Sequence, residues 1–554
     1  MQSILAQTAA MAIVAPQSSD SQRSGVPLGG ALPSDERRPI HPALLSLIAA
    51  GLSIAYFLTY PLALGRADES HLLHGAKRVL DGQAIYKDFF AILTPLSYCL
   101  FAAIYRIGGT TLLTARVGMA VINAVGCGLL FHLTRRVSGT LEAMVVALMF
   151  AVLCIPAWPF ASPHWVSTTL GLLVATVTLS ERWRESVRAR PLVAGILSGI
   201  AVCVQQQRGV LLAAWLPLAL WVLAYSLPHA TRRRTLAAEI ALAVGATGLL
   251  TAAVIGYTVW TSSPAAVFYA LYEFPTKHYP SAGVAWAGAL PLTDTWREAT
   301  WPWLLRISPL FLVGEGVLLL SGGWRARRRS ELERVCLWLL AALMALAVSY
   351  LPDFIHVSFA LPFLLIPGAV LLHTLRCAPL WDRLPAGRLA VTAGIWLCAL
   401  ALVGKAVTNV TAAYAAAPAR FETAFGVIRG DAEMERLFRA VRSRLVREPD
   451  GSSLLYSYPD DSWLYLALPA DDATRFSLLA PPMFPSEDIQ EAIAALRARR
   501  PGTVVLLLPF SWVPVGRDVG AAIAEGYDAV EDVGQYRIFV RRQPGAPPAP
   551  ATPE

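Results

Sequence analysis

The chain has 554 residues, of which 55% are hydrophobic and 15% charged, and its mean hydropathy is +0.51. This composition excludes an ordinary soluble protein and predicts a polytopic membrane protein. The formal charge of +8 lies in loops between apolar segments, so it indicates orientation in a lipid bilayer rather than binding to nucleic acid.

The chain is predicted to have four regions. They are a disordered cytoplasmic tail over 1–40, a transmembrane domain over 41–409 with outer loops at 65–90 and 261–300, an extracytoplasmic α/β domain over 410–543, and a disordered tail over 544–554.

Apolar runs that match the ~20 residues needed to cross a bilayer as helix occur along the whole transmembrane domain. They lie at 42–64, 112–133, 141–158, 163–180, 209–227, 236–258, 302–321, 335–352, 357–375 and 387–409, with weaker candidates at 91–108 and 192–204. Basic clusters in alternate loops place the N-terminus in the cytoplasm. The 91–108 segment contains Pro95 and is predicted not to cross fully, which gives about 11 spans, or 13 if a helix was missed.

The loop after the first span reads ADESHLLHGAKRVLDGQAIYKDFF from Ala67 to Phe90. Asp68 and Glu69 follow the predicted membrane edge, where a lower dielectric raises the pKa of a carboxyl group toward the range useful for a base. The apolar residues from Leu72 to Leu80 have helical spacing, which predicts a helix lying flat on the membrane interface. A solvated charged loop is the alternative interpretation.

This order of motifs resembles the C-type (GT-C) glycosyltransferase superfamily, and in particular protein O-mannosyltransferases and aminoarabinose transferases. The matching features are the first span, the Asp-Glu pair, the helix ending near Gly82, AIYKDFF, and the proline-led segment TPLSYCLFAAIYRIGG. The resemblance covers roughly 41–410. It implies a mostly α fold, a polytopic helix bundle with a small outer α/β domain, in a bacterial inner membrane.

The resemblance also implies the chemistry of the first outer loop. Asp68 would be the general base that deprotonates an acceptor hydroxyl, while the sugar of a polyprenyl-phosphate donor is transferred with inversion. Glu69 and Asp88 would orient the sugar or acceptor or support Asp68, and Tyr86 would contact substrate. No cofactor is predicted; a divalent metal between carboxylates is possible chemistry but is not predicted.

Further polar residues on the same predicted side are candidates for binding the lipid phosphate or the sugar. Gln207 and Arg208 lie in a turn where the family has a Lys-rich or Gln-rich sequence that meets the phosphate, and arginine suits a bidentate phosphate contact. Asp353 and His356, together with His164, lie at the outer ends of spans. The alternatives are a snorkelling arginine and satisfied interfacial histidines.

The long outer loop contains YEFPTKHYP, in which Lys277 and His278 combine with aromatic residues. Such a segment suits sugar stacking or phosphate capture, although an aromatic belt at the interface has the same composition. Glu315 lies in mid-span and predicts either a functional carboxylate or a buried pair.

The sequence therefore predicts a hexosyl- or pentosyltransferase. Its partners would be a polyprenyl-phosphate-linked sugar, a hydroxyl-bearing glycan, lipid or protein acceptor, and the lipid bilayer. A transporter or flippase of lipid-linked glycans and a noncatalytic glycan-assembly scaffold are the competing hypotheses. The charged residues gather at one face of the membrane and no internal repeat is present, which favours the enzyme.

Overall fold

A computed structural model describes residues 42–180, 188–226, 229–278, 285–287, 296–321, 329–382, 384–480, 483–508 and 517–543. The two predicted tails, 1–40 and 544–554, lie outside these ranges, as do parts of the predicted 261–300 loop.

The membrane part is built from long helices joined by short connections. In chain order its elements are α1 (Pro42–Phe57), α2 (Asp68–Leu80), α3 (Pro95–Gly108), α4 (Leu112–Val137), α5 (Thr140–Met149), a π-helical turn (Phe150–Cys154), α6 (Ile155–Ala157), α7 (Pro163–Leu179), α8 (Ala189–Val204), α9 (Gln206–Ala224), α10 (His229–Thr261), α11 (Pro264–Phe268), a second π-helical turn (Tyr269–Glu273), α12 (Phe274–Lys277), α13 (Trp296–Ser321), α14 (Arg329–Ala347), α15 (Phe354–Arg376), a 3-10 turn (Pro379–Asp382) and α16 (Pro385–Ala416).

Among the described residues, seven helices are long and apolar enough to cross a membrane. Two shorter apolar helices, Ala43–Phe57 and Ala189–Val204, accompany them. Every apolar run that the sequence analysis marked as a span corresponds to a helix of the structure.

Helix α3, which covers most of the 91–108 segment, has both ends on one side of the bundle. Near its start, Ser97 Oγ donates a hydrogen bond to the carbonyl of Val204 at the end of α8. Just beyond its end, the Leu112 amide donates to the carbonyl of Phe425 in the C-terminal domain. Its 14 residues therefore start and finish on the face that carries this domain.

Helix α2 differs from the expectation that it lies on the membrane interface. Its apolar residues Leu72, Leu73 and Ala76 have no exposed surface. Protein covers this face instead of lipid, because α3 and the C-terminal domain pack on it, with His74 stacked on Tyr465 at 4.9 Å between ring centroids. The apolar pattern alone could not distinguish burial against lipid from burial against protein, since both environments are nonpolar.

Buried ion pairs join helices within the bundle. Glu315, for which the sequence offered no partner, pairs with Arg334 of the next helix at 2.9 Å. Similar pairs join Arg190 to Glu239, Arg136 to Glu333 and Arg376 to Glu142. In a medium of low dielectric a charged side chain is expensive unless paired, so these contacts fix how neighbouring helices align.

The C-terminal domain combines a hairpin with a five-stranded sheet. Its elements are β1 (Ala419–Thr423), β2 (Gly426–Gly430), α17 (Ala432–Arg444), β3 (Leu454–Tyr458), α18 (Trp463–Ala467), β4 (Asp471–Asp472), α19 (Ser486–Arg499), β5 (Thr503–Leu507), α20 (Arg517–Gly526), β6 (Tyr527–Val533) and β7 (Tyr536–Arg541). The sheet order is β4-β3-β5-β7-β6, with β3 parallel to β4 and β5, and β7 antiparallel to β5 and β6.

The domain follows α16 in the chain, and backbone hydrogen bonds also join it to the membrane part. The Arg429 amide donates to the carbonyl of Leu62, and the Phe90 amide donates to the carbonyl of Arg475. The loop that follows α1 and the segment that follows α2 are thereby held against the domain.

Candidate active site

A cavity of about 130 Å³ lies between α2, the start of α7, the start of α15 and the C-terminal domain. The polar residues that line it are Asp68, His71, His74, Arg78, Tyr98, Ser162, His164, His356 and Ser477. Three of the predicted site residues, Asp68, His164 and His356, are thus brought together from distant parts of the chain.

Asp68 is the first residue of α2 and its side chain keeps exposed surface toward the cavity. No hydrogen bond or ion pair engages its carboxylate within the described part of the chain. Desolvation by the surrounding protein raises the pKa of Asp68; His71 and His356 act in the opposite direction, while Asp460 and Asp353 add to the increase. A free carboxylate with a raised pKa suits proton abstraction.

His71 lies one helical turn after Asp68 and connects the cavity to the C-terminal domain. Its Nε2 is 2.8 Å from Asp460 Oδ1, and its Nδ1 is 2.8 Å from Ser462 Oγ. Burial acts to lower the pKa of His71, but the carboxylate of Asp460 outweighs it, so the pKa is raised overall. The protonated imidazole is therefore stabilised beside Asp68.

The opposite wall carries two further histidines. Ser162 caps the start of α7 by accepting a hydrogen bond from the His164 amide, and Gln205 Nε2 is 2.6 Å from His164 Nδ1. The His164 ring stacks on Phe359 at 4.5 Å and meets His356 edge-on at 5.3 Å. These contacts fix the orientation of both imidazoles.

Asp353 caps α15 and holds His356 in place. Its Oδ1 accepts hydrogen bonds from the His356 amide at 2.8 Å and lies 2.9 Å from His356 Nδ1. Burial favours the neutral acid, but the hydrogen bonds with His356 outweigh burial and lower the pKa of Asp353. The carboxylate thus leaves Nε2 of His356 as the nitrogen free to act on a ligand.

Arg208 lies behind the wall that His164 and His356 form. It is 3% exposed, and its partners are neutral: Thr168 Oγ1 at 3.1 Å and the carbonyls of His164, His356 and Phe359 at 3.4 to 3.5 Å. No carboxylate pairs with it in the described residues. A buried cation with long, weak hydrogen bonds produces positive potential at the cavity wall.

A tight approach of two helices positions Arg208. A Cβ on Gly209 would lie 2.3 Å from the backbone of Val202, so only glycine permits α9 to begin this close to α8. The turn between these helices directs Gln205 and Arg208 inward. Gln207, predicted to bind phosphate, is exposed and does not line the cavity.

Glu69 occupies a different environment from Asp68. It has no exposed surface, its Oε2 pairs with Arg116 at 2.9 Å and accepts from the Gly65 amide, and its Oε1 accepts from the Ala161 amide at 2.9 Å. The sequence predicted that Glu69 would orient the sugar or acceptor, or support Asp68. Both of its carboxylate oxygens are bonded to protein groups, which fits the supporting role. Glu69 fixes the turn that presents Asp68.

Tyr86 and Asp88 also stabilise the loop instead of lining the cavity. Tyr86 is buried at a φ of +69° and donates its hydroxyl hydrogen bond to the carbonyl of Leu93. The Asp88 side chain is exposed and accepts from the Ala84 amide at 2.7 Å. Together they form the turn that brings Phe89 to Leu93 into the cavity wall.

Lys277 and His278 lie away from the cavity. Lys277 is exposed and pairs with Glu273 at 2.6 Å, and the His278 ring lies 5.9 Å from Phe274. The following residue, Tyr279, lies outside the described ranges.

The sequence analysis missed several residues that line the cavity. Arg78 is buried, and its guanidinium donates to Gln83 Oε1 and to the carbonyl of Asp88, both at 2.6 Å, and lies 3.7 Å from Asp472. Gly75 lets the Tyr98 ring approach, because a Cβ there would be 2.5 Å from it. The position of His71, three residues after Asp68, was the one available signal, since residues i and i+3 share a helix face.

Within the described ranges, no group of three or more His, Cys, Asp or Glu side chains is placed to hold a metal ion. A larger cavity, of about 770 Å³, shares no lining residue with this one. The smaller cavity is the candidate active site because it contains the free carboxylate and the imidazoles.

No protein-family model matches the chain, and no curated protein matches it. Solved structures do match. The crystal structure of ArnT from Cupriavidus metallidurans bound to undecaprenyl phosphate is 13% identical, with a TM-score of 0.56 over 91% of this chain and 99% of that one.

Two further matches are archaeal. The Archaeoglobus fulgidus oligosaccharyltransferase in complex with Zn and sulfate is 14% identical, with a TM-score of 0.54 over 90% of this chain and 73% of that one. The archaeal oligosaccharyltransferase AglB from Archaeoglobus fulgidus, in complex with an inhibitory peptide and a dolichol-phosphate, is 13% identical, with a TM-score of 0.51 over 91% and 75%. At these identities the likeness shows a shared fold.

Proposed function

We propose that this chain, which has the fold of the C-type membrane glycosyltransferases, transfers a sugar from a polyprenyl-phosphate-linked donor to a hydroxyl acceptor with inversion at the anomeric carbon. One observation carries the proposal. Asp68, a carboxylate without a partner among the described residues, shares a cavity with two imidazoles that are backed by the buried cation of Arg208.

In this mechanism Asp68 accepts the proton of the acceptor hydroxyl. The hydroxyl oxygen forms a bond to the anomeric carbon as the bond from that carbon to the phosphate oxygen breaks, and the electron pair leaves with the phosphate. The polyprenyl phosphate is a good leaving group, so one base and stabilisation of the developing charge suffice. His164, His356 and the field of Arg208 supply that stabilisation.

The comparisons support the class of donor. The ArnT structure contains undecaprenyl phosphate, and an AglB structure contains a dolichol-phosphate. For this chain we infer a lipid-linked donor of the same chemical kind. The basic clusters of the loops support a cytoplasmic N-terminus and a reaction at the outer face of a bacterial inner membrane.

The test is sugar transfer from a panel of radiolabelled polyprenyl-phosphate sugars into membrane acceptors. Wild type is compared, at matched protein amounts, with Asp68→Asn and with the control Asp81→Asn, an exposed carboxylate at the end of the same helix. We expect Asp68→Asn to lower transfer by about 10²- to 10⁴-fold and Asp81→Asn to leave it unchanged.

The competing hypotheses predict different results. A flippase or a scaffold would give no donor consumption in wild type, or consumption that Asp68→Asn does not alter. Either result, with the variant folded, would contradict the proposal.

A further inference from the structure

The larger cavity, which the proposed reaction does not use, lies between the membrane helices and the C-terminal domain. Its walls are the ends of α1, α4, α6 and α16 and, above them, the β1–β2 hairpin. Its volume of about 770 Å³ falls in the range of cavities that hold small-molecule ligands, roughly 300–1,000 Å³.

The lining of this cavity is cationic. It contains four arginines and one carboxylate, namely Arg66, Arg116, Arg420, Arg429 and Asp431. Arg66 pairs with Asp431 at 2.9 Å, and Arg116 pairs with Glu69 behind the wall. Two arginines therefore remain without a carboxylate.

Arg420 and Arg429 carry this excess charge. Arg429 donates to the carbonyl of Ala417 at 3.1 Å and lies over the Tyr414 ring at 5.1 Å, and both of these partners are neutral. Arg420 is exposed, and within the described ranges no carboxylate forms an ion pair with it. An anion would complement this rim.

Deeper in the cavity, the α4 face carries a polar group without a partner. Asn123 is 3% exposed and lines the cavity, and its Oδ1 has no hydrogen-bond partner in the described part of the chain. An unsatisfied buried polar group is destabilising, so a ligand that bonds to it gains free energy. Its amide can turn an acceptor or a donor toward a ligand that enters the cavity.

Most of the remaining lining is apolar, and α4 and α16, which carry part of it, are long and apolar enough to cross a membrane. Leu58 and Leu113 line the cavity at the ends of α1 and α4, and each is more than half exposed. Ala412 and Ala413 on α16 leave room between these helices. A hydrocarbon chain can enter from the lipid between such surfaces, whereas a fully water-soluble anion gains nothing from them.

We propose that this cavity binds a lipid with a phosphate headgroup, the phosphate at the arginine rim and the hydrocarbon chain between α1 and α16. It shares no lining residue with the cavity of Asp68, so the site does not depend on the proposed reaction. The ligand is a bulk anionic phospholipid of the bilayer, because the polyprenyl phosphate of the proposed reaction belongs to the other cavity.

The test is native mass spectrometry of the full chain in detergent, titrated with undecaprenyl phosphate, with palmitoyl-oleoyl-phosphatidylglycerol and with inorganic phosphate. Arg420→Gln removes an unpaired cation, and Ala413→Trp fills the apolar part. Arg497→Gln is the control, an exposed arginine of the same domain outside the cavity. We expect the phosphatidylglycerol to bind about ten-fold or more tightly than inorganic phosphate, and both cavity variants to weaken it about ten-fold.

Weakening of undecaprenyl phosphate alone by the two cavity variants would overturn the proposal. Inorganic phosphate binding as tightly as the phosphatidylglycerol would also overturn it, as would phosphatidylglycerol affinity unchanged in Arg420→Gln and Ala413→Trp. Parallel titrations of Arg208→Gln separate the two cavities, and a loss of lipid binding in that variant alone would also overturn it.

Discussion

Two adjacent carboxylates at the start of α2 have opposite environments. Glu69 is buried with both oxygens bonded, whereas Asp68 faces the cavity and its carboxylate has no partner in the described residues. A helix rotates its residues by about 100° each, so neighbours point to different surroundings. One residue therefore supports the turn and the other is available for chemistry.

The raised pKa of Asp68 gives a prediction about pH. Activity needs the ionised form, so kcat/KM should fall as pH decreases through a value above the ordinary ~3.9 of aspartate. His71 lowers the pKa of Asp68, so His71→Gln should move this acid limb to higher pH. Lys77→Gln, on the exposed face of the same helix, is the control and should leave the limb in place. An acid limb unchanged in His71→Gln would contradict this electrostatic coupling.

Arg208 gives a second prediction. We expect Arg208→Gln to reduce kcat/KM for the donor by about 10- to 100-fold, the effect of losing a charge-assisted contact with phosphate. The melting temperature should not fall, because no carboxylate of the described residues is left unpaired. Thermal unfolding and donor kinetics measure both effects, with the exposed Arg106→Gln as control. Normal kinetics with a lower melting temperature would show a purely structural role.

The sequence located Asp68, His164, Arg208, Asp353 and His356 but not all their roles. Hydropathy and loop position identify polar residues at the ends of spans, and the structure places these five around or directly behind one cavity. The same reasoning could not separate Asp68 from Glu69, because their difference arises from Arg116 in another helix. Nor could it exclude Tyr86 and Asp88, whose bonds are local to a turn.

At the scale of helices and strands, long periodic segments were predictable and short ones were not. Helices α17 and α19 and strands β3, β5 and β7 lie within 410–543, where the sequence predicts an α/β domain. The β1–β2 hairpin was missed, since its five-residue strands contain charged residues and little alternation. Its position is fixed by contacts with the membrane part, such as the bond from Arg429 to Leu62.

The ion pair between Glu69 and Arg116 joins α2 to α4, which gives a prediction about stability. Glu69→Gln leaves a buried guanidinium without its counter-charge, and we expect a loss of about 3–5 kcal/mol in the free energy of unfolding. Glu69→Gln combined with Arg116→Gln should lose less than the two single variants summed. Chemical denaturation measures these values, with Glu435→Gln, which breaks a surface pair with Arg439 within one helix, as control. Additive losses in the double variant would contradict the pair.

At the scale of the whole molecule, the C-terminal domain contributes to the cavity. Ser477 lines it, and Asp460 and Ser462 hold His71, although about 390 residues separate His71 from Asp460 and Ser462. No periodicity or spacing in one sequence reveals such a contact. The transmembrane fold was predictable from hydropathy and motif order, and the matching structures confirm it. The contact between the membrane part and the C-terminal domain could be seen only in the structure.

The contact between His71 and Asp460 gives a pH-dependent prediction. The pKa of His71 is raised above its ordinary value, so the pair stabilises the fold below pH ~6.5 and this stabilisation is lost as pH rises through the raised value. Asp460→Asn should therefore lower the melting temperature at pH 6 and much less at pH 9. Asp471→Asn, an exposed carboxylate of the same domain, should lower neither. An equal decrease for Asp460→Asn at both pH values would contradict a charged pair.

A direct displacement with Asp68 as the single base inverts the anomeric carbon, so the stereochemistry of the product tests the proposed mechanism. The purified chain is given a polyprenyl-phosphate sugar of known anomeric configuration, and the configuration of the new glycosidic bond is determined by NMR coupling constants. We expect the opposite configuration in the product. Retention of the donor configuration would require a covalent intermediate or a second displacement and would rule out this mechanism.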